Sequence, residues 1–116
     1  MLRTVSTFLM ISLSTVAFAQ EDFKSADSEL NKLYKEIQAR LSDNDAALHL
    51  LTAAQRSWIA FRDTECAFAA SSVEGGSAYP EILESCKAGL TLKRIADFNA
   101  YLSCQEGDLA CPVPAE

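Results

Sequence analysis

The sequence predicts an all-α protein, a small antiparallel three-helix bundle stapled by disulfides. Apolar residues recur at spacings of three and four, few segments alternate with period two, and four cysteines occur in 116 residues. Cys66 and Cys86 lie ten residues either side of Gly76. If two helices fold back at this glycine, their sulfurs reach the same height on facing helices.

Residues 1–19 have the pattern of an export signal. Arg3 supplies the positive charge, residues 5–16 are apolar apart from interspersed serines and threonines, and residues 17–19 form an Ala-Phe-Ala cleavage site. A membrane anchor is disfavoured because the apolar run is shorter than the roughly 20 residues of a spanning helix. We therefore expect residues 20–116 to form one helical domain, periplasmic or secreted, with no membrane contact after cleavage.

The first predicted helix runs from about Glu21 to Leu41. It should end at residues 42–45, a Ser-Asp-Asn-Asp cluster that caps the following helix. Its apolar residues form one stripe, which predicts an amphipathic helix. The stripe comprises Phe23, Ala26, Leu30, Leu33, Tyr34, Ile37 and Leu41.

The second predicted helix runs from Ala46 to about Ser71. It is apolar over a wide arc, which predicts a central position with neighbours on both sides. The turn that follows, residues 71–77, contains Gly75 and Gly76, which are free to adopt positive φ. The predicted inward side comprises Leu48, Leu51, Ala54, Trp58, Phe61, Glu65 and Phe68, with Ile59, Cys66 and Ala69 beside it.

The third predicted helix starts near Pro80, whose missing N–H costs nothing in a first turn, and runs to about Ser103. The tail, residues 104–116, is expected to be irregular because it carries Gly107 and two prolines. The residues predicted to face inward in this helix are Ile82, Cys86, Leu90, Ile95, Phe98 and Leu102.

Four cysteines allow three pairings. Hairpin symmetry favours Cys66 with Cys86, which leaves Cys104 and Cys111 to close a short loop. A zinc site is disfavoured because the closely spaced cysteine pairs of such sites are absent and an oxidising compartment favours cystine. We predict no metal and no cofactor.

Charged and amide side chains within the helices are predicted to fix helix register. Asp63 and Glu65 are expected to pair with Arg94 across the hairpin. Arg62 follows Trp58 by one helical turn, within reach of a cation–π contact. Two amides on otherwise apolar faces are expected to form hydrogen bonds between helices: Asn31 and Gln55.

The sequence contains no convincing catalytic group. His49, the only histidine, has no nucleophile within reach. Glu81 and Glu84 have the spacing of a carboxylate pair, but nothing places them in a cleft. We predict that the protein is not an enzyme.

The turn is the best candidate for a recognition element. Residues 71–79 are small and polar, end in an aromatic residue, and would be held at their base by the disulfide. A loop restrained in this way loses less entropy on binding, which makes Glu74, Ser77 and Tyr79 candidate partner-binding residues. The alternative, a plain helix–helix connection, stays open because connectors also need glycines.

The net charge is also compatible with a protein partner. Loss of Arg3 with the signal peptide changes the formal net charge from −6 to −7. An acidic exported domain is a poor ligand for nucleic acid and a plausible one for a cationic protein, whose approach it would accelerate. The alternative is that the charge serves only solubility.

The sequence resembles the LprI-like lysozyme-inhibitor family from about Ala26 to Leu102. The most specific match is Gln-Arg-Ser-Trp-Ile-Ala-Phe-Arg-Asp at residues 55–63, which leads to Cys66. The resemblance implies a small exported bacterial helical protein that inhibits lysozyme, although this chain lacks the lipid-attachment cysteine of some members. Further matching residues are Glu29, Leu30, Asn31, Tyr34, Gly75, Gly76, Ser77, Cys86, Thr91 and Arg94.

These observations predict an exported inhibitor that binds a lysozyme-type muramidase and blocks its cleft. The alternative is a general envelope protein-interaction module that uses a helix face, and a thiol-redox or metal protein is a third hypothesis. The oligomeric state is not predicted. The residues interpreted as structural are Asn31, Tyr34, Gln55, Trp58, Arg62, Asp63 and Arg94.

Overall fold

A computed structural model describes residues 22–115 of the chain. Within this range the protein has three α-helices and no strand: α1 (Phe23–Arg40), α2 (Asp45–Ala69) and α3 (Tyr79–Leu102). A short 3₁₀ helix, Ser71–Val73, follows α2. The predicted all-α fold with three helices and two disulfides is confirmed. The predicted signal peptide lies outside the described residues.

Side-chain caps start the first two helices. Asp22 accepts a hydrogen bond from the backbone N–H of Ser25 at 2.7 Å, and Asn44 accepts one from that of Ala47 at 3.0 Å. Each cap satisfies a donor that has no partner within its helix. The predicted apolar stripe of α1 is also confirmed, since its members are buried or half-buried.

The predicted inward side of α2 is wrong at several positions, most of them in its second half. Phe61 and Phe68 are 53% and 76% exposed, and Ala54 and Glu65 are exposed as well. Ile59 and Ala69 also lie on the surface. Cys66 is buried as predicted, and the other side chains that α2 buries are Gln55 and Arg62. A face containing arginine and glutamine can be buried because both groups find partners inside the bundle.

Helix α3 begins as predicted, with proline in its first turn. Phe98 is fully buried, but Ile82, predicted to face inward, is 44% exposed. The other residues predicted to face inward are half-buried. The most buried positions of α3 also include two small side chains, Ala88 and Thr91, which allow a neighbouring helix to approach closely.

Pairs of contacting residues establish the direction of α2 relative to α3. Asp63 lies 3.9 Å from Lys87, and Gln55 accepts a hydrogen bond from Arg94. Residues earlier in α2 therefore meet residues later in α3, and the two helices are antiparallel.

The central helix is α3, whereas the sequence predicted that α2 would be central. Helix α3 packs against both α1 and α2, while the backbones of α1 and α2 approach each other at fewer positions. The ring of Tyr34 stacks with that of Phe98, and the Lys87 ammonium lies over the Phe23 ring. The order of these contacts makes α1 and α3 parallel. Long side chains, not close backbones, connect α1 to α2.

The tail is irregular but returns to the core. A disulfide joins Cys104 to Cys111 with their Cα atoms 5.9 Å apart, and Gly107 adopts a φ of +87° in the loop. Val113 is only 3% exposed and packs with Ile37, Leu41 and Phe98 among other core residues. The tail therefore covers one end of the bundle, a role that its composition did not reveal.

Candidate functional site

The connection between α2 and α3, residues 71–79, is hereafter called the tip. Its backbone forms consecutive tight turns, and Gly75 adopts a φ of +80°, which favours glycine. Of the two glycines expected to be free to take positive φ, only Gly75 does so. The turns are closed by four backbone hydrogen bonds: Val73 to Ala70, Glu74 to Ser71, Gly76 to Val73 and Tyr79 to Gly76, at 3.0 to 3.3 Å.

The Cys66–Cys86 disulfide closes the base of the tip, with the Cα atoms 5.5 Å apart. Cys66 is fully buried, so the bond is part of the interface between α2 and α3. The predicted pairing is confirmed. Because both disulfides together use all four cysteines, no thiolate remains for a zinc site.

The three predicted partner-binding residues do not all lie in the same environment. Glu74 and Ser77 are exposed on the tip, whereas Tyr79 is half-buried at the first turn of α3. Glu74 and Ser77 are thus accessible to a partner, and Tyr79 presents only part of its surface.

The tip and its flanks are acidic. Residues 63–86 contain five carboxylate side chains and no lysine or arginine. Asp63 is held by cations, with Arg62 Nε at 3.0 Å and Lys87 Nζ at 3.9 Å. The other four acids are exposed, and they give this end of the hairpin a negative surface: Glu65, Glu74, Glu81 and Glu84.

Behind the tip, aromatic and cationic side chains alternate through the bundle. We call this arrangement the cation–aromatic ladder, and it consists of Phe23, Arg62, Trp58, Arg94 and Phe98. The guanidinium carbon of Arg62 lies 4.8 Å from the Phe23 ring centroid and 5.2 Å from that of Trp58. The guanidinium carbon of Arg94 lies 5.8 Å from the Trp58 centroid and 4.7 Å from that of Phe98. All three helices contribute, so the ladder fixes their relative positions. The predicted contact between Arg62 and Trp58 is confirmed.

The ion pairs differ from those predicted. Arg94 donates from Nε to Gln55 Oε1 at 3.1 Å and pairs with Asp97 at 3.5 Å. The predicted pairing of Arg94 with Asp63 or Glu65 is therefore wrong. The geometry explains this result: Arg94 lies beside Gln55, a position closer to the middle of α2 than either acid.

The two amides behave differently. Gln55 links α2 to α3 as predicted. Asn31 is exposed and donates to Asp27, one turn earlier in α1, at 3.5 Å, so its predicted link between helices is wrong. Tyr34 instead connects α1 to α2, since its hydroxyl lies 3.4 Å from Thr52 Oγ1.

Comparisons with known proteins show the family to which the chain belongs. The lysozyme inhibitor LprI family matches residues 10–98 of the chain, which include the ladder and the tip. The chain belongs to the LprI family. An uncharacterized protein of Rhizobium meliloti (strain 1021) is 38% identical to it over 99 residues, covering 76% of this chain and 71% of that protein. No solved structure shows significant similarity.

The side chains considered as catalytic candidates, His49, Glu81 and Glu84, are all exposed. His49 is exposed and lines a shallow depression with Asp45 and Arg56, among others, but without a serine or cysteine. Within residues 22–115 no group of histidine, cysteine or acidic side chains is arranged to hold a metal. The described helices also include none that is long and apolar enough to cross a membrane.

Sequence reasoning missed two members of the ladder. Phe23 was assigned only to the apolar stripe of α1, yet its ring makes cation–π contacts with both Arg62 and Lys87. Phe98 was assigned only to the core, yet Arg94 lies over its ring. Phe23 and Phe98 are far from Trp58 in the sequence, so local spacing does not indicate these contacts. The rings come together only because the helices pack against one another.

Proposed function

We propose that the mature protein, residues 20–116, is exported and binds a lysozyme-type muramidase, blocking its substrate cleft with the tip. Membership of the lysozyme inhibitor LprI family supports the class of target. The exposed tip, closed by Cys66–Cys86 and surrounded by acidic side chains, is the observation that carries the proposed mode of binding.

Restraint of the tip favours tight binding. Its turns are hydrogen-bonded internally and its base is covalently closed, so little backbone freedom remains to be lost on association. Glu74 and Ser77 lie where an inserted loop would meet the target first, and the exposed part of Tyr79 supplies aromatic surface.

Charge supports the same target. A cationic enzyme would be attracted to the four exposed acids around the tip, and its association would be fastest at low ionic strength. Screening shortens the reach of this attraction from about 30 Å at 0.01 M salt to about 3 Å at 1 M.

The test is a muramidase assay with purified residues 20–116 against a panel of lysozymes at low and high salt. We expect inhibition that weakens as salt rises. Glu74→Gln with Glu81→Gln should reduce inhibition, whereas Glu29→Gln with Glu106→Gln, which removes the same charge from exposed sites away from the tip and its flanks, should have little effect. Absence of inhibition with every lysozyme would refute the proposal.

A further inference from the structure

The side of α2 that points away from the bundle is uncharged along most of its length. We call it the outer face of α2. It includes three large apolar side chains, Leu50, Phe61 and Phe68, which are 73%, 53% and 76% exposed. Contiguous apolar surface of this kind usually marks an interaction site. The outer face consists of ten exposed residues: Ala46, Leu50, Ala53, Ala54, Ser57, Ala60, Phe61, Thr64, Ala67 and Phe68.

The outer face has the spacing of a coiled-coil seam. Leu50, Ala54, Ser57, Phe61, Thr64 and Phe68 are separated alternately by four and three residues, so they line one stripe of the helix. Alanines recur every seventh residue beside this stripe, at 46, 53, 60 and 67. Small side chains at the edge of a seam let a second helix approach closely. The pattern therefore fits a helix as the occupant.

The same face also borders an apolar cavity. The cavity has a volume of about 200 Å³, and its lining includes Leu50, Ala54, Tyr101 and Val113. For comparison, a cavity of about 150 Å³ lined by apolar residues accommodates benzene. A phenylalanine ring presented by a neighbouring helix would fit this space.

We propose that a second copy of this chain occupies the outer face, with the two α2 helices antiparallel. A twofold axis near residue 59 places Leu50 of each copy opposite Phe68 of the other. The same register places Ser57 opposite Phe61 and Ala54 opposite Thr64. Each exposed Phe68 then lies at the mouth of the other copy's cavity. Because the contact is isologous, both phenylalanines and both cavities are covered in the same way.

Charge complementarity supports this register. Arg56 and Asp63 border the outer face on the same edge of α2 and are seven residues apart. An antiparallel pair brings equal edges together, so Arg56 of each copy faces Asp63 of the other. The outer face itself contains no acid that would attract a cationic protein, and the exposed Glu65 only borders its other edge. The two acidic tips lie at opposite ends of this dimer, which leaves both free.

The interface area indicates a weak association. Residues 46–68 extend over roughly 35 Å, and a strip about 10 Å wide gives about 350 Å² per copy, or about 700 Å² in total. Stable complexes usually bury more than about 1,200 Å² in total. We therefore expect a dimer that forms in a concentration-dependent manner.

Cross-linking distinguishes the proposed arrangement from its alternatives. The four native cysteines are paired, so Ala60→Cys or Ala46→Cys introduces one free thiol for a short bismaleimide. Ala60 lies next to the proposed axis, whereas the two copies of Ala46 would be about 40 Å apart along the helices. We expect several-fold more cross-linked dimer for Ala60→Cys, provided that both variants retain the wild-type circular dichroism. Equal cross-linking of both would contradict the antiparallel register.

Sedimentation velocity over a range of concentrations supplies the second test. Phe68→Asp should abolish the concentration dependence, whereas Leu109→Asp, at a fully exposed site in the tail, should preserve it. A wild-type protein that stays monomeric throughout would overturn the proposal. If it stays monomeric while Phe68→Asp weakens muramidase inhibition, the outer face binds the enzyme and not a second copy. Dimerisation does not depend on inhibition, so the two proposals can fail separately.

Discussion

The guanidinium carbon of Arg62 lies 5.2 Å from the centroid of the Trp58 ring, one turn earlier in α2. Arg62 is only 7% exposed. Its burial is tolerated because it stacks between two rings and pairs with Asp27 at 3.4 Å and Asp63 at 3.0 Å. Its contacts with Phe23 and Asp27 join α2 to α1.

Substitution of Arg62 should destabilise the fold. We expect Arg62→Ala to lower the free energy of unfolding by about 2–3 kcal/mol, because stacking and two ion pairs are lost. Arg62→Lys should lose about 1–2 kcal/mol, since an ammonium keeps the charge but not the planar stacking. Urea unfolding followed by circular dichroism measures both. Arg56→Ala, at an exposed site of the same helix, is the control and should change the value by less than about 0.5 kcal/mol.

Replacement of a buried hydroxyl should stabilise the protein. Thr91 is fully buried, and its Oγ1 has no hydrogen-bond partner within residues 22–115. We expect Thr91→Val, which has nearly the same shape, to raise the free energy of unfolding by about 1 kcal/mol. Thr64→Val is the matched control, because the exposed Thr64 hydroxyl bonds to Ala60 O at 2.8 Å. A clear loss of stability in Thr91→Val would show that its hydroxyl does have a partner in solution.

The two disulfides should contribute unequally to stability. They close segments of 20 and 7 residues, for which chain entropy predicts about 3 and about 2.5 kcal/mol respectively. We expect the Cys66→Ala, Cys86→Ala double variant to be the less stable of the two double variants and to lose inhibition, because the base of the tip opens. Thermal unfolding and the muramidase assay provide the readouts. Full inhibition by this variant would mean that restraint of the tip is unimportant.

Sequence periodicity predicted the helices and the disulfide pairing, because both depend on local spacing. The symmetry of Cys66 and Cys86 about Gly76 was sufficient to predict the hairpin. The same approach placed Phe61 and Phe68 in the core because it equates apolar with buried. It gave the wrong face because Gln55 and Arg62 are buried through partners on other helices.

The tail and the candidate site were predicted less completely. Val113 has no periodic pattern around it, so nothing local indicated that it packs against α1 and α3. Glu74 and Ser77 were expected on an exposed turn, and they lie there. Their proposed contact with a muramidase depends on surface complementarity with another molecule, which periodicity within one chain does not encode.

Inhibition by tip variants tests the central proposal most directly. The experiment compares the wild-type inhibition constant with that of the Glu74→Ala, Tyr79→Ala double variant, with Glu29→Ala as a control outside the tip. We expect the double variant to inhibit at least about tenfold more weakly, equivalent to about 1.4 kcal/mol, with an unchanged unfolding transition. Equal inhibition by the wild type and the folded double variant would contradict the proposal and place the binding surface elsewhere.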